Sequence, residues 1–129
     1  MKIIATSGFT DYELIDSGDA KRLERFGKYI IARPDPQAIW QPKKDNSFWE
    51  KADAVFIQNG SKGEWLNKNK VPDKWLIHYK NLSFYCRLTP FKHTGVFPEQ
   101  AINWDFIEEK IKGTEREINV LNLFGYTGI

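Results

Sequence analysis

The chain has 129 residues, 41% hydrophobic and 15% aromatic, which is enough apolar material for a folded core and excludes a disordered polymer. Its 19 basic and 17 acidic residues leave a net charge of +2, short of the basic bias of dedicated nucleic-acid-binding domains. An RNA partner is therefore permitted by the charge but not required.

Tyr12 to Asp16 alternates like a strand and runs into the turn cluster Ser17-Gly18-Asp19. Leu23–Phe26, the turn Gly27-Lys28 and Tyr29–Ala32 continue as a meander of short antiparallel strands. The basic stretch Lys21-Arg22-Leu23-Glu24-Arg25 reads as a solvated strand or turn rather than a phosphate patch, because a glutamate and an apolar residue interrupt it. Arg33-Pro34-Asp35-Pro36 stops the meander, since proline cannot donate to a ladder. Gln37–Trp40 is a brief helical or extended segment. Residues 47–52 suit a single helical turn capped by Asn46 or Ser47.

Ala54–Ile57 reads as a strand, Asn59-Gly60-Ser61 as a turn and Gly63–Trp65 as a return. Trp75–Tyr79, Lys80-Asn81 and Leu82–Leu88 form the clearest hairpin. Trp75, Ile77 and Tyr79 share one face; Phe84, Cys86 and Leu88 share another. Cys86 is the single cysteine, so no intrachain disulfide is possible, and its place on an apolar face indicates a buried thiol, not a nucleophile. From Pro98 the period lengthens to that of a helix, with Pro98 at the first position, Glu99 at the positive end of the dipole and Lys112-Gly113 at the stop. Ile118–Leu123 then reads as a short strand of the doubly covered kind, one that needs neighbours on both edges.

The carboxylates Asp16, Asp19 and Glu24 are read as turn formers, because no histidine partner or loop of alternating oxygen donors accompanies them as a metal site would require. His78 lies mid-strand, where a surface or cross-strand role is expected. His93 has no nucleophile or acid beside it in sequence. The apolar N-terminal run is too short for a signal peptide and no stretch is long enough to span a membrane, so the cytoplasm is the expected location.

Val120-Leu121-Asn122-Leu123-Phe124-Gly125-Tyr126-Thr127-Gly128 resembles the first cofactor motif of class I S-adenosylmethionine-dependent methyltransferases. More narrowly, it is similar to the Asn-Leu-Phe-x-Tyr-Thr-Gly form of the ribosomal RNA large-subunit methyltransferase group related to cytosine-5 enzymes. Lys92-His93-Thr94-Gly95-Val96-Phe97, leading to Gln100 on the next helix, resembles the element that precedes the cofactor domain in that group. Residues 14–27 and 33–40 resemble a bacterial branch of the same superfamily.

The resemblance implies an α+β chain. A β-rich module of short antiparallel strands (1–89) precedes a helix and the first strand of a Rossmann-like methyltransferase domain (90–129). It implies S-adenosyl-L-methionine as cofactor, held by Lys92, Thr94, Gly95, Phe97, Gln100, Asn122, Phe124, Tyr126, Thr127 and Gly128, with no metal. It further implies an RNA substrate, and a chain that is the front part of an enzyme and inactive by itself. The alternatives are a non-catalytic β-rich RNA- or protein-binding module, and a homo-oligomer formed through the unpaired 118–123 strand.

Overall fold

The structure, a computed structural model, describes Ala5 and residues 7–60, 62–123 and 125–128. Strands β1 (Tyr12–Gly18), β2 (Lys21–Phe26), β3 (Tyr29–Pro34), β4 (Ala54–Asn59) and β5 (Lys62–Leu66) form one sheet in the order β1-β2-β3-β4-β5. Strands β6 (Trp75–Tyr79) and β7 (Leu82–Cys86) form a separate antiparallel hairpin. A one-turn helix α1 (Asn46–Trp49) lies in the β3–β4 connection, and α2 (Ala101–Lys112) follows β7 after a 3-10 turn at Pro98–Gln100. The chain is thus α+β, with the expected meander at its start. No helix among the described residues is long and apolar enough to cross a membrane.

One pairing departs from the antiparallel expectation. β3 and β4 run parallel, with Ile31 opposite Ala54 and Ala32 opposite Val55. The connection through residues 35–53 carries the chain back to the starting end of the sheet, which a hairpin cannot do. Asp53 reinforces the seam: its amide donates to Ile30 O at 2.7 Å and its carboxylate accepts from Ile30 N at 2.8 Å.

β3 also runs through Arg33 to Pro34, beyond the expected stop at Ala32. Pro34 sits at the last rung opposite Lys21, where a missing donor costs least. The β1–β2 turn places Asp19 (φ 48) and Ala20 (φ 58) in the left-handed region, as a primed hairpin turn requires. Alanine is a poor residue for that position. Backbone bonds from Asp19 N to Trp40 O and Ala20 N to Ala38 O, both 2.8 Å, strap the turn from outside. The same strap explains Gly18, whose missing Cβ would lie against the backbone of Gln41 and Pro42.

The main core lies between one face of the large sheet and the hairpin. Phe26, Ile31, Ala54 and Phe56 meet Trp75, Ile77, Tyr79, Phe84 and Cys86, and Val96 and Ala101 close its end. Two indoles stitch the layers: Trp75 Nε1 donates to Phe26 O at 3.1 Å and Trp65 Nε1 to Thr89 O at 2.7 Å. On the opposite sheet face Leu23, Ala32 and Ala52 form a smaller cluster with Trp49 of α1. Trp104 of α2 packs its ring against Phe84 (5.2 Å), Tyr79 (5.9 Å) and Phe9 (6.4 Å), so the helix is seated on the hairpin.

Cys86 is fully buried, as expected, and burial pushes its thiol up to about 12. We expect no reaction with iodoacetamide at pH 8 in the folded protein and one equivalent after denaturation, read by mass spectrometry. Rapid labelling of the native chain would contradict the burial.

Glu24 is not a turn former. It is a fully buried strand residue facing the main core, and Asp16 is also buried. Asp16 accepts from the amides of Lys44 (2.8 Å) and Lys43 (3.1 Å) and from Trp49 Nε1 (3.2 Å), clamping the loop before α1. Asp19 does sit in a turn. His78 takes its expected cross-strand place, with Nδ1 3.0 Å from Ser83 Oγ. No group of three or more His, Cys, Asp or Glu side chains arranged for a metal occurs among the described residues.

Ile118–Leu123 forms no ladder. A backbone strand is stable only where its amides and carbonyls find partners, and none of the described strands pairs with this segment. Val120, Leu121 and Leu123 are accordingly exposed.

Candidate functional site

After β7 the chain folds back on itself. Arg87 N donates to Thr94 O (3.1 Å), while Thr89 donates to His93 O through both its amide (3.0 Å) and its hydroxyl (2.8 Å). Lys92 (φ 62) and Gly95 (φ 89) take left-handed conformations in this return. Gly95 is suited to its position on conformational grounds; a Cβ there would meet only ordinary contacts.

The second element is the turn Gly125–Gly128, in which the Gly128 amide donates to Gly125 O and Tyr126 (φ 33) and Gly128 (φ 82) have positive φ. The two elements meet. Thr127 Oγ1 donates to Gly95 O at 2.9 Å, and the Tyr126 ring packs edge-on against Phe97 at 5.4 Å. Phe97 also stands 5.4 Å from the His93 ring.

Between this junction, the tip of the β6–β7 hairpin and one face of α2 lies a groove of about 1220 Å³. Gly95, Phe97, Gln100, Asn122, Tyr126, Thr127 and Gly128, all expected site residues, line it. Gln100 Oε1 accepts from Asn103 Nδ2 at 2.7 Å, which orients the amide at the groove edge. Lys92 and Thr94 are not on the lining. Thr94 is fully buried with its hydroxyl 3.4 Å from Val96 O, and Lys92 uses its carbonyl to accept from Arg33 Nη1 at 3.1 Å. Phe124 lies outside the described residues.

Sequence reading missed what supports this junction. Glu24 accepts from Arg33 Nε (2.6 Å) and Nη2 (3.0 Å) and from the Tyr12 hydroxyl (2.9 Å). Burial, then the charge of Glu24, raises the Tyr12 phenol well above its ordinary value. Arg33 thus ties the large sheet to the Lys92 return. The available signal was position: Arg33 is opposite Arg22 and Glu24 opposite Ile31, so all face the core side.

A second tie holds α2. Asp105 accepts from Lys80 Nζ (2.6 Å) and the Tyr79 hydroxyl (2.7 Å), and these bonds hold its carboxyl below the usual range, that of Lys80 foremost. Asp16 is also depressed: burial raises it, but the amides of Lys44 and Lys43 outweigh that effect. A carboxylate with a depressed folded pKa contributes stability above its unfolded value of about 3.9, and this is lost as pH falls through the folded value. The melting temperature should therefore hold from pH 7 to about 5 and fall below about 4. In Asp105→Asn the acid-side fall should be shallower, as measured by scanning calorimetry from pH 2.5 to 7.

His93 moves the other way. Burial first, then the charges of Arg33, Lys92 and Arg22, lower its pKa, so it is neutral at pH 7.

No protein-family model matches the chain, and no curated protein matches it. Its structure is similar to the crystal structure of a SAM-dependent methyltransferase from Agrobacterium tumefaciens, with a TM-score of 0.89 and 39% sequence identity. The match covers 96% of this chain and 40% of that chain, so this chain spans about two fifths of its neighbour's length. The α+β architecture described above is therefore one that occurs within a methyltransferase.

Proposed function

We propose that the chain is the front part of an S-adenosylmethionine-dependent methyltransferase and supplies one wall of the cofactor site. The carrying observation is the junction of Gly95 and Phe97 with Thr127 and Tyr126: two motifs far apart in sequence meet at the rim of one groove. The methyltransferase neighbour supports the same reading.

The groove suits the proposed cofactor chemically. Its wall offers the rings of Phe97, Trp104 and Tyr126, the carboxylates Glu99 and Glu108 and the amides Gln100, Asn103 and Asn122. Aromatic faces and carboxylates attract a sulfonium cation, while amides serve an adenine or an amino-acid head group. Bound there, the cofactor supplies an electrophilic methyl group. The chain's own part is to fix its position through the Gly95–Thr127 tie and to exclude water with Phe97 and Tyr126.

We further read residues 1–89 as the β-rich module and 90–129 as the beginning of the cofactor domain, in a cytoplasmic enzyme of the ribosomal RNA large-subunit, cytosine-5-like group acting on RNA. Support comes from the Asn122–Gly128 and Lys92–Gln100 motifs. The 129 residues alone should give no turnover.

Isothermal calorimetry with S-adenosylmethionine tests the site. Weak binding is expected and should be abolished by Thr127→Val combined with Phe97→Ala, with the fold intact by circular dichroism. Absence of binding by the unaltered chain and by any longer chain containing it would sink the assignment. A radiolabelled methyl-transfer assay on RNA checks the expected inactivity.

A further inference from the structure

At the end of the core-facing side of the large sheet, next to the groove but off its lining, cations gather. Arg22 and Arg33 are direct cross-strand partners, and Arg33 Nη1 reaches Lys92 O at 3.1 Å. Like charges placed opposite each other on a sheet repel, so the arrangement needs an anion. Glu24 provides one, but it is shared among Arg33 Nε, Arg33 Nη2 and the Tyr12 hydroxyl. Arg22 Nε stands 3.4 Å from Glu24 Oε2, an ion-pair distance, yet it is buried and makes no hydrogen bond. His93 Nδ1 is likewise buried without a hydrogen-bond partner. Two unsatisfied nitrogens in one cationic cluster are unusual in a folded protein. The Arg22 side chain is 27% exposed, so the cluster is reachable from solvent.

We propose that Arg22, Lys92 and His93 form a phosphate-binding site that receives a backbone phosphate of the substrate RNA; this rests on the RNA-methyltransferase reading above. Arg22 and Lys92 supply positive charge, that of Lys92 already acting on His93, and neutral His93 supplies one ring N–H. The site lies one ring away from the groove, because Phe97 stands between His93 and Tyr126. A strand held there by its backbone passes the groove rim where the proposed methyl donor binds. Phosphate contacts of this kind set register and orientation without reading sequence. This arrangement was not visible along Lys21–Arg25, since the site is assembled across two strands and a loop.

The test uses the full 129-residue chain with three probes: inorganic phosphate, a single-stranded RNA octamer, and the same octamer with an uncharged methylphosphonate backbone. Phosphate and the RNA should shift the ring resonances of His93 and leave those of exposed His78 in place. Arg22→Ala should weaken RNA binding about tenfold and lower the slope of log affinity against log salt by about one. Arg22→Lys should retain most of the affinity, and the methylphosphonate octamer should not bind. An unmoved His93, or equal RNA affinity in Arg22→Ala, would overturn the proposal. So would an Arg22-dependent His93 shift caused by S-adenosylmethionine alone, which would give the cluster to the cofactor's carboxylate. Failure of the methyltransferase reading is seen separately, as loss of S-adenosylmethionine binding while phosphate and RNA still bind.

Discussion

Replacing Glu24 by alanine is expected to lower the free energy of unfolding by about 3–5 kcal/mol, a large part of what a domain this size possesses. Glu24 and Arg33 are both buried, and their contact is bidentate, at 2.6 and 3.0 Å. Removing the carboxylate leaves the guanidinium in the core with Lys92 O as its remaining hydrogen-bonded partner and Phe26 beside it, 5.7 Å from ring centroid to Cζ. The Tyr12 hydroxyl loses its acceptor as well. An uncompensated buried charge is the costly outcome; the pair itself is not a large net stabiliser. The double change Glu24→Leu with Arg33→Met should therefore recover much of the loss. Urea titration followed by tryptophan fluorescence checks both, and a double variant no more stable than Glu24→Ala would contradict the argument. The double variant also loses the Arg33–Lys92 tie, so binding of the proposed cofactor should be weakened although its stability returns.

Trp75→Ala should cost a similar amount, about 3–5 kcal/mol, for a different reason. The indole is buried between the two β layers, 5.4 Å from the Tyr29 ring in an edge contact, and its N–H donates to Phe26 O. Truncation removes the apolar contact, leaves a cavity and unpins the hairpin from the sheet. Trp75→Phe keeps most of the volume and forfeits chiefly the hydrogen bond, so about 1–1.5 kcal/mol is expected. Denaturant midpoints for the pair should separate accordingly with an unchanged slope. A loss from Trp75→Ala no larger than that from Trp75→Phe would show that the layers do not depend on this residue.

What the sequence revealed depended on how local the cause was. The meander, the β6–β7 hairpin and the helix after Pro98 follow from alternation, turn residues and a proline start, all encoded within a few residues. The parallel β3–β4 seam was not legible, because it joins residues across the whole 35–53 connection and no local signal specifies direction. Arg33 reads as part of a stop because prolines follow it; the strand in fact runs two residues past Ala32, enough to aim the guanidinium at Glu24. Ala20 in a left-handed turn likewise violates local preference and is held by bonds to Ala38 and Asp35. At the site, the motif residues were recognisable as types at given spacings. That Thr94 turns inward while Gly95 and Phe97 face the groove depends on the fold of the return, which spacing does not record.

The β3–β4 seam has a consequence for how the molecule opens and closes. Its rungs at Ile31–Ala54 and Ala32–Val55, with Asp53 alongside, join two units that are each antiparallel and local: β1–β3 and β4–β5. Local antiparallel units form early, whereas the seam waits for closure of a long connection. In native-state hydrogen exchange the sheet should behave as two cooperative blocks, with the β4–β5 amides exchanging together and ahead of those of β2. Because Arg33 belongs to the first block and reaches the Lys92 return, the groove rim is built on the slower-exchanging half of the sheet.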